Sequence, residues 1–189
     1  MDKKTDILNA AQVLFSQFGL KKVTTDEIAK VARVSKATVY KYFQSKEEIF
    51  KKVVQTESDQ LLLAIHEAVD KETSVEKKFR AYLLTKIGRI HGLVNFYKVT
   101  RETLSDYWPH IKEAQEQFME EERQIARNIL KLGADSGELN LENIDLTAHF
   151  LVISLKSLEY PWAMEGHNLT LSQYVDMLLH LLMNGITKR

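Results

Sequence analysis

Apolar residues recur at spacings of three and four along most of the chain, the period of helices that bury one face. Ile7, Leu8, Ala11, Leu14, Phe15 and Phe18 mark the first such face, and Gly19 follows where a left-handed cap would stop the helix. Thr24-Thr25-Asp26-Glu27 reads as a capping box. It opens a short helix with Ile28, Ala29 and Ala32 inward, running to about Arg33. Ser35 is a fresh N-cap for a helix from Lys36 to Phe43. Ser45-Lys46-Glu47-Glu48 is a second capping box, and its helix continues through Ile49, Phe50, Val53, Val54, Leu61, Leu62 and Ile65 to about Asp70. Helices as short as those between Thr24 and Ser45 do not stand alone in water and must pack on one another.

Beyond Asp70, Thr73-Ser74-Val75-Glu76 caps a helix carrying Phe79, Tyr82, Leu83, Ile87 and Ile90 as far as Gly92. A shorter segment follows through Phe96, Tyr97 and Val99. Pro109 is placed as the first-turn proline of a long helix through Ile111, Ala114, Phe118, Ile125, Ile129 and Leu132, ended by Gly137. Two final helices are expected over about 143–160, closed by Pro161, and about 171–186. No Pro/Gly/Ser linker interrupts residues 45–70, so any front domain is joined to the rest by helix, and a rigid connector can transmit a tilt.

Composition agrees with an all-α fold: 44% of residues are hydrophobic, with only two prolines and seven glycines. The absence of cysteine excludes a disulfide framework and thiolate metal sites, and suits a cytoplasmic protein. The opening Met1-Asp2-Lys3-Lys4-Thr5-Asp6 does not have the form of a signal peptide, and no apolar run approaches the roughly 20 residues that span a bilayer, so no membrane partner is expected. The net charge of zero conceals an asymmetry. Residues 1–55 hold 11 Lys/Arg against 6 Asp/Glu, and the remainder 15 against 20. A basic front on an acidic body fits a nucleic-acid-binding unit joined to a different one.

The two short helices after Thr24 have the form that enters a major groove. Val34, Val39 and Phe43 anchor the second one inward, leaving Ser35, Lys36, Ala37, Thr38, Tyr40, Lys41 and Tyr42 outside. Ala37 is small enough for close approach to base edges, and Lys36 can donate to guanine acceptors. The hydroxyls of Thr38, Tyr40 and Tyr42, with Lys46 at a helix N-terminus, suit phosphate oxygens.

The run from Thr24 to Ile49, with its Thr-rich helix start, Ile-Ala, Val-Ser, Tyr-x-Tyr-Phe and Ser-Lys-Glu, resembles the DNA-binding signature of the TetR family over roughly residues 5–52. The resemblance implies an N-terminal three-helix helix-turn-helix domain, residues 1–50, followed by a helical-bundle ligand-binding and dimerisation domain, residues 51–189. It implies that Thr25, Ser35, Tyr40, Tyr42 and Lys46 grip phosphates while Lys36, Ala37 and Lys41 meet bases. With Thr24, Arg33 and Thr38 these make up the expected DNA-binding set. Two positions depart from the family pattern. Arg33 stands at the turn where Gly is usual, and Ala37 stands where Gly is frequent. A positive φ at Arg33 would cost on the order of 1 kcal/mol relative to Gly.

The last two helices are apolar over more than one face, through Leu146, Phe150, Leu151, Ile153, Leu155 and Leu158, then Leu171, Val175, Leu178, Leu179, Leu181 and Leu182. Either both lie within one core, or they face the core and a partner; the resemblance implies a homodimer through a four-helix bundle. Its two recognition helices, about 34 Å apart, would read a palindromic site in double-stranded DNA. The resemblance also implies a small-molecule effector site, for which Tyr82, Phe96, Tyr97, Tyr107, Trp108, Phe118, Phe150 and Trp162 are the aromatic candidates. His91, His110 and His149 are the polar candidates.

No His-Glu-x-x-His motif, phosphate loop or nucleophile elbow is present, so no enzyme activity, metal or cofactor is expected. The acidic run Glu120-Glu121-Glu122 reads as a solvated helix face. The function expected is a ligand-responsive transcriptional repressor, released from its operator by a hydrophobic or amphipathic effector. The alternative is a helical carrier or enzyme that binds no particular DNA sequence, whose basic front only keeps it in solution.

Overall fold

The computed structural model describes residues 2–89, 104–164 and 169–186, which form eight helices and no strand. They are α1 (Lys3–Lys22), α2 (Thr25–Val31), α3 (Lys36–Tyr42), α4 (Lys46–Asp70), α5 (Val75–Arg89), α6 (Leu104–Asp135), α7 (Ile144–Met164) and α8 (Leu171–Ile186). The chain divides into two compact units. One comprises Met1–Asp59 with Leu93–Glu116, the other Gln60–Gly92 with Gln117–Arg189, and α4 and α6 each contribute to both.

In the first unit α1, α2 and α3 pack on one another around Ile7, Ala11, Phe15, Ile28, Val39 and Phe43, all buried. Phe15 meets Phe50 of α4 edge to face, ring centroids 5.2 Å apart, closing this small core from beneath. The expected stop at Gly19 is not a left-handed cap. With φ 78° and ψ 161° Gly19 takes an extended conformation open to glycine, and the helix kinks there before resuming to Lys22. Phe18, just before the kink, is exposed rather than inward.

The second unit is built on α5, which packs most extensively on α8 and also touches α7. Gly88 and Leu171 mark the close approach, since a Cβ on Gly88 would stand 3.2 Å from the Leu171 side chain. Asn143 caps α7 by accepting from Leu146 N–H at 2.9 Å, and Thr170 with Gln173 forms a capping box that starts α8 at Leu171.

Both prolines stand inside helices. Helix α6 opens at Leu104, leaving Pro109 beyond its first turn, and α7 runs past Pro161 to Met164. A proline loses the bond to the carbonyl four residues back and its ring crowds that carbonyl, a cost that the hydrogen-bond ladder along the rest of each long helix outweighs. Gly137 does terminate α6 as expected, with φ 75°.

Candidate nucleic-acid interface and a buried polar cluster

The turn between α2 and α3 is fixed by backbone geometry. Arg33 has φ 56°, Val34 N–H bonds to Ala29 O at 3.0 Å, and Arg33 N–H bonds to Lys30 O at 3.3 Å. This pair of bonds is a Schellman motif with Arg in the left-handed position that glycine usually fills. It turns the chain sharply enough for Ser35 to cap α3, its Oγ accepting from Thr38 N–H at 3.1 Å.

Helix α3 then buries Val39, with Phe43 packed behind it. Ser35, Lys36, Ala37, Tyr40 and Lys41 are exposed, and Thr38 and Tyr42 are half-buried. Several hydroxyls already have partners. Ser35 and Thr38 hydroxyls lie 2.9 Å apart. The hydroxyl and N–H of Thr24 both donate to Glu27 Oε2 at 2.8 Å, and its hydroxyl accepts from Glu27 N–H at 3.3 Å. Those Thr24 bonds stabilise the carboxylate and hold Glu27 below the usual glutamate pKa. Thr25 Oγ1 lies 3.2 Å from Tyr40 Oη.

A shallow groove lined by Lys21, Thr24, Thr25, Tyr40, Ser45 and Lys46 lies at the start of α4. Ser45 accepts from Glu48 N–H at 3.1 Å, while Glu48 reaches back to Gln44 N–H at 2.6 Å, one residue earlier than a capping box would require. Lys46 donates to Lys21 O at 3.4 Å. This groove offers a lysine ammonium, hydroxyls and a positive helix end together, the donor set that a phosphate oxygen accepts from, with the Glu47 carboxylate also in its lining.

In the second unit a charged cluster lies wholly inside. Lys86 and Glu122 form an ion pair at 2.5 Å with side-chain exposures of 1% and 2%. Tyr82 Oη donates to Glu122 Oε1 at 2.8 Å, and the ammonium lies 5.7 Å from the Tyr82 ring centroid and 5.8 Å from that of Phe118. Two effector candidates, Tyr82 and Phe118, are thus brought together.

Other effector candidates are not. Phe150 is 59% exposed, because α7 turns Ala148, Val152 and Leu155 inward and a residue two beyond Ala148 points away. Half-buried His149 lies edge-on to it, ring centroids 6.0 Å apart. Trp108, on the first unit, is 39% exposed. Phe96 and Tyr97, and the side chains of Tyr107 and Trp162, lie outside the described residues.

The reading of Glu120-Glu121-Glu122 as one solvated face is corrected by Glu122. Successive helical positions diverge by about 100°, so one of three adjacent residues joins the stripe of Phe118, Ile125 and Ile129. Sequence reasoning missed Lys86 and Glu122. The available signal was a shared spacing, Tyr82 with Lys86 and Phe118 with Glu122, each placing an aromatic and an opposite charge four apart on one helix face.

Residues 7–53 match the family described as bacterial regulatory proteins, tetR family. Over 169 residues the chain is 27% identical to the HTH-type transcriptional regulator YhgD of Bacillus subtilis, covering 86% of this chain and 85% of that one. It is 25% identical to the HTH-type transcriptional repressor KstR2 of Mycolicibacterium smegmatis, covering 98% and 91%. Among solved structures, a transcriptional regulator from Cytophaga hutchinsonii superposes with a TM-score of 0.79 at 25% identity, over 99% of this chain and 100% of that one. The fatty acid degradation regulator FadR of Bacillus halodurans shares the fold, with a TM-score of 0.76 at 21% identity over 97% and 95%.

Proposed function

From the match of residues 7–53 to the tetR family of bacterial regulatory proteins, we propose a tetR-family homodimeric repressor that an effector releases from a palindromic operator. One observation supports the reading: the Schellman turn at Arg33 presents the face of α3 holding Lys36, Ala37, Tyr40 and Lys41 to solvent, in the same unit as the groove at Lys46. Residues 1–50 do the DNA binding, with Lys36, Ala37 and Lys41 at bases. Thr25, Arg33, Tyr40, Tyr42 and Lys46 meet the backbone, joined by Thr24, Ser35 and Thr38 where their cap hydrogen bonds leave lone pairs free. In this reading the protein works by binding alone, in the cytoplasm where its DNA lies.

Residues 51–189 dimerise and sense. Leu146, Phe150 and Ile153 on α7, and Met177 and Leu181 on α8, are exposed at helical spacing opposite the buried faces of those helices. A second copy covering these stripes would form a four-helix interface. The effector is apolar or amphipathic, bound among the aromatics that include Tyr82 and Phe118. Relatives named for ketosteroid and fatty acid metabolism support a lipid-like molecule. Release requires the effector to bind the DNA-incompetent geometry more tightly than the competent one.

The test is selection of duplex DNA from a random pool with the purified protein, with its solution mass measured alongside. An enriched palindrome and a dimeric mass are expected, as is a monomeric mass for Leu181→Asp. No enrichment at low salt would return the function to a carrier or enzyme.

A further inference from the structure

α2 and α3 are joined by more than their apolar anchors. The ammonium of Lys36, the first residue of α3, donates to Oδ2 of Asp26 at 2.7 Å, and Tyr40 Oη lies 3.2 Å from Thr25 Oγ1. Lys36 and Tyr40 are four apart, so they share the exposed face of α3. The start of α2 therefore holds that face at these two points. The ion pair is not part of the core, its side chains being 51% and 65% exposed, and α2 is capped independently by Thr24 and Glu27.

We propose that Asp26 is a specificity-determining residue of the DNA interface: it suppresses phosphate binding by Lys36 and pre-orients the ammonium for a base-edge acceptor. This rests on the reading that α3 enters the major groove. Lysine is a compact charge on a flexible stem, and untethered it is drawn to any phosphate regardless of sequence. Held by Asp26, its charge is matched, its stem is ordered before DNA arrives, and two of its three N–H groups remain to donate.

Guanine presents O6 and N7, neutral acceptors that can take those hydrogens while the carboxylate keeps its own. A phosphate must instead approach the Asp26 carboxylate, and like charges repel. Asp26 therefore weakens the sequence-independent mode and spares the sequence-reading one. The same hydrogen bond raises the Lys36 pKa, so the ammonium stays protonated throughout.

The experiment measures affinity against salt concentration for two duplexes of equal length, one carrying the sequence enriched by wild-type protein and one of random sequence. Asp26→Asn should bind the random duplex about three- to tenfold more tightly, and its slope of log K against log salt should steepen by about 0.9, one added phosphate contact. Its preference for the enriched duplex should fall at least about threefold, since the enriched site gains less. Asp26→Glu should restore the wild-type preference. In a Lys36→Met background, Asp26→Asn should leave the preference unchanged.

A thermal melt establishes that each variant is folded. Equal tightening on both duplexes, or the same loss of preference without Lys36, overturns the proposal and makes Asp26 only part of the bulk charge. A wild-type protein that enriches no sequence overturns the regulator reading as well, which separates the two failures.

Discussion

The two units each contain a lysine–carboxylate pair, and the pairs are opposites in everything but chemistry. Lys36 and Asp26 meet at 2.7 Å on an exposed face, where water and salt screen them, while Lys86 and Glu122 meet at 2.5 Å inside the second unit, with Tyr82 on the same carboxylate oxygen. An exposed pair contributes little to stability and can be remade with a new partner. A buried pair is costly to form and more costly to leave half made. The exposed pair therefore leaves two N–H groups of its ammonium open to an acceptor on DNA while it stays paired, and the buried one is suited to fixing how α5 and α6 pack. Burial, not the residue types, decides which of the two a given pair can do.

The largest effect expected from this contrast is on stability. Lys86→Met removes the ion-pair partner of the buried Glu122 carboxyl, leaving it the Tyr82 hydroxyl, and should destabilise by about 3–5 kcal/mol in urea unfolding. Adding Glu122→Gln should recover most of the loss, because the amide oxygen still accepts from Tyr82 Oη. Removing the exposed ammonium with Lys36→Ala should leave the unfolding midpoint almost unmoved. If the two single variants unfold alike, the contrast between the pairs is wrong.

On DNA the ranking should invert. Lys36→Ala should reduce discrimination between the enriched duplex and its guanine-substituted versions by about tenfold or more. Lys46→Ala should weaken all duplexes to a similar degree and lower the salt slope by about 0.9. Equal effects of both substitutions on every sequence would remove the division between base and phosphate roles.

The same contrast explains how much was legible in the sequence. The first unit is written in local signals: Thr24 with Glu27, Ser35 with Thr38 and Ser45 with Glu48 are caps between residues three apart, so pattern alone places α2, α3 and the start of α4. The second unit depends on which helices meet. Tyr82 and Glu122 are forty residues apart in sequence, and nothing local brings α5 to α6. Glu122 was hidden among acidic neighbours, and Phe150 passed as an inward aromatic because the register of α7 against its own core is a tertiary fact. Pro161 misled because local rules end a helix at a proline that α7 runs past, and Pro109, read as a first-turn proline, stands beyond the first turn of α6.

A smaller effect lies in acid. Glu27, Glu113 and Asp176 are held below their usual pKa values by Thr24, Lys51 and Arg80 respectively. A carboxylate whose folded pKa is lowered contributes stability that is present above its unfolded pKa and lost as pH falls through the folded one. Stability should therefore decline with acid from the usual carboxylate range downward, and Glu27→Gln should flatten that decline without abolishing it. A stability that rises on acidification through this range would show that these bonds are absent in solution.

The smallest expected effect separates fold from function at one residue. Arg33 occupies the left-handed corner of the α2–α3 turn at φ 56°, which costs on the order of 1 kcal/mol for a side chain with a Cβ. Arg33→Gly removes that strain, but glycine also gains freedom in the unfolded chain, an opposing term of about 0.4–1 kcal/mol. The net change in unfolding free energy should be a gain of no more than about 0.6 kcal/mol. DNA binding should move the other way, with a salt slope lower by about 0.9, because one cation has left the interface. A variant slightly more stable yet weaker on every duplex would mean that Arg33 is kept at the turn for the phosphate it meets, against the preference of the backbone. If affinity is unchanged, Arg33 leaves the DNA-binding set and the turn carries its strain for no gain on DNA. A fall in stability would instead place the Arg33 side chain among the contacts that hold α2 to α3.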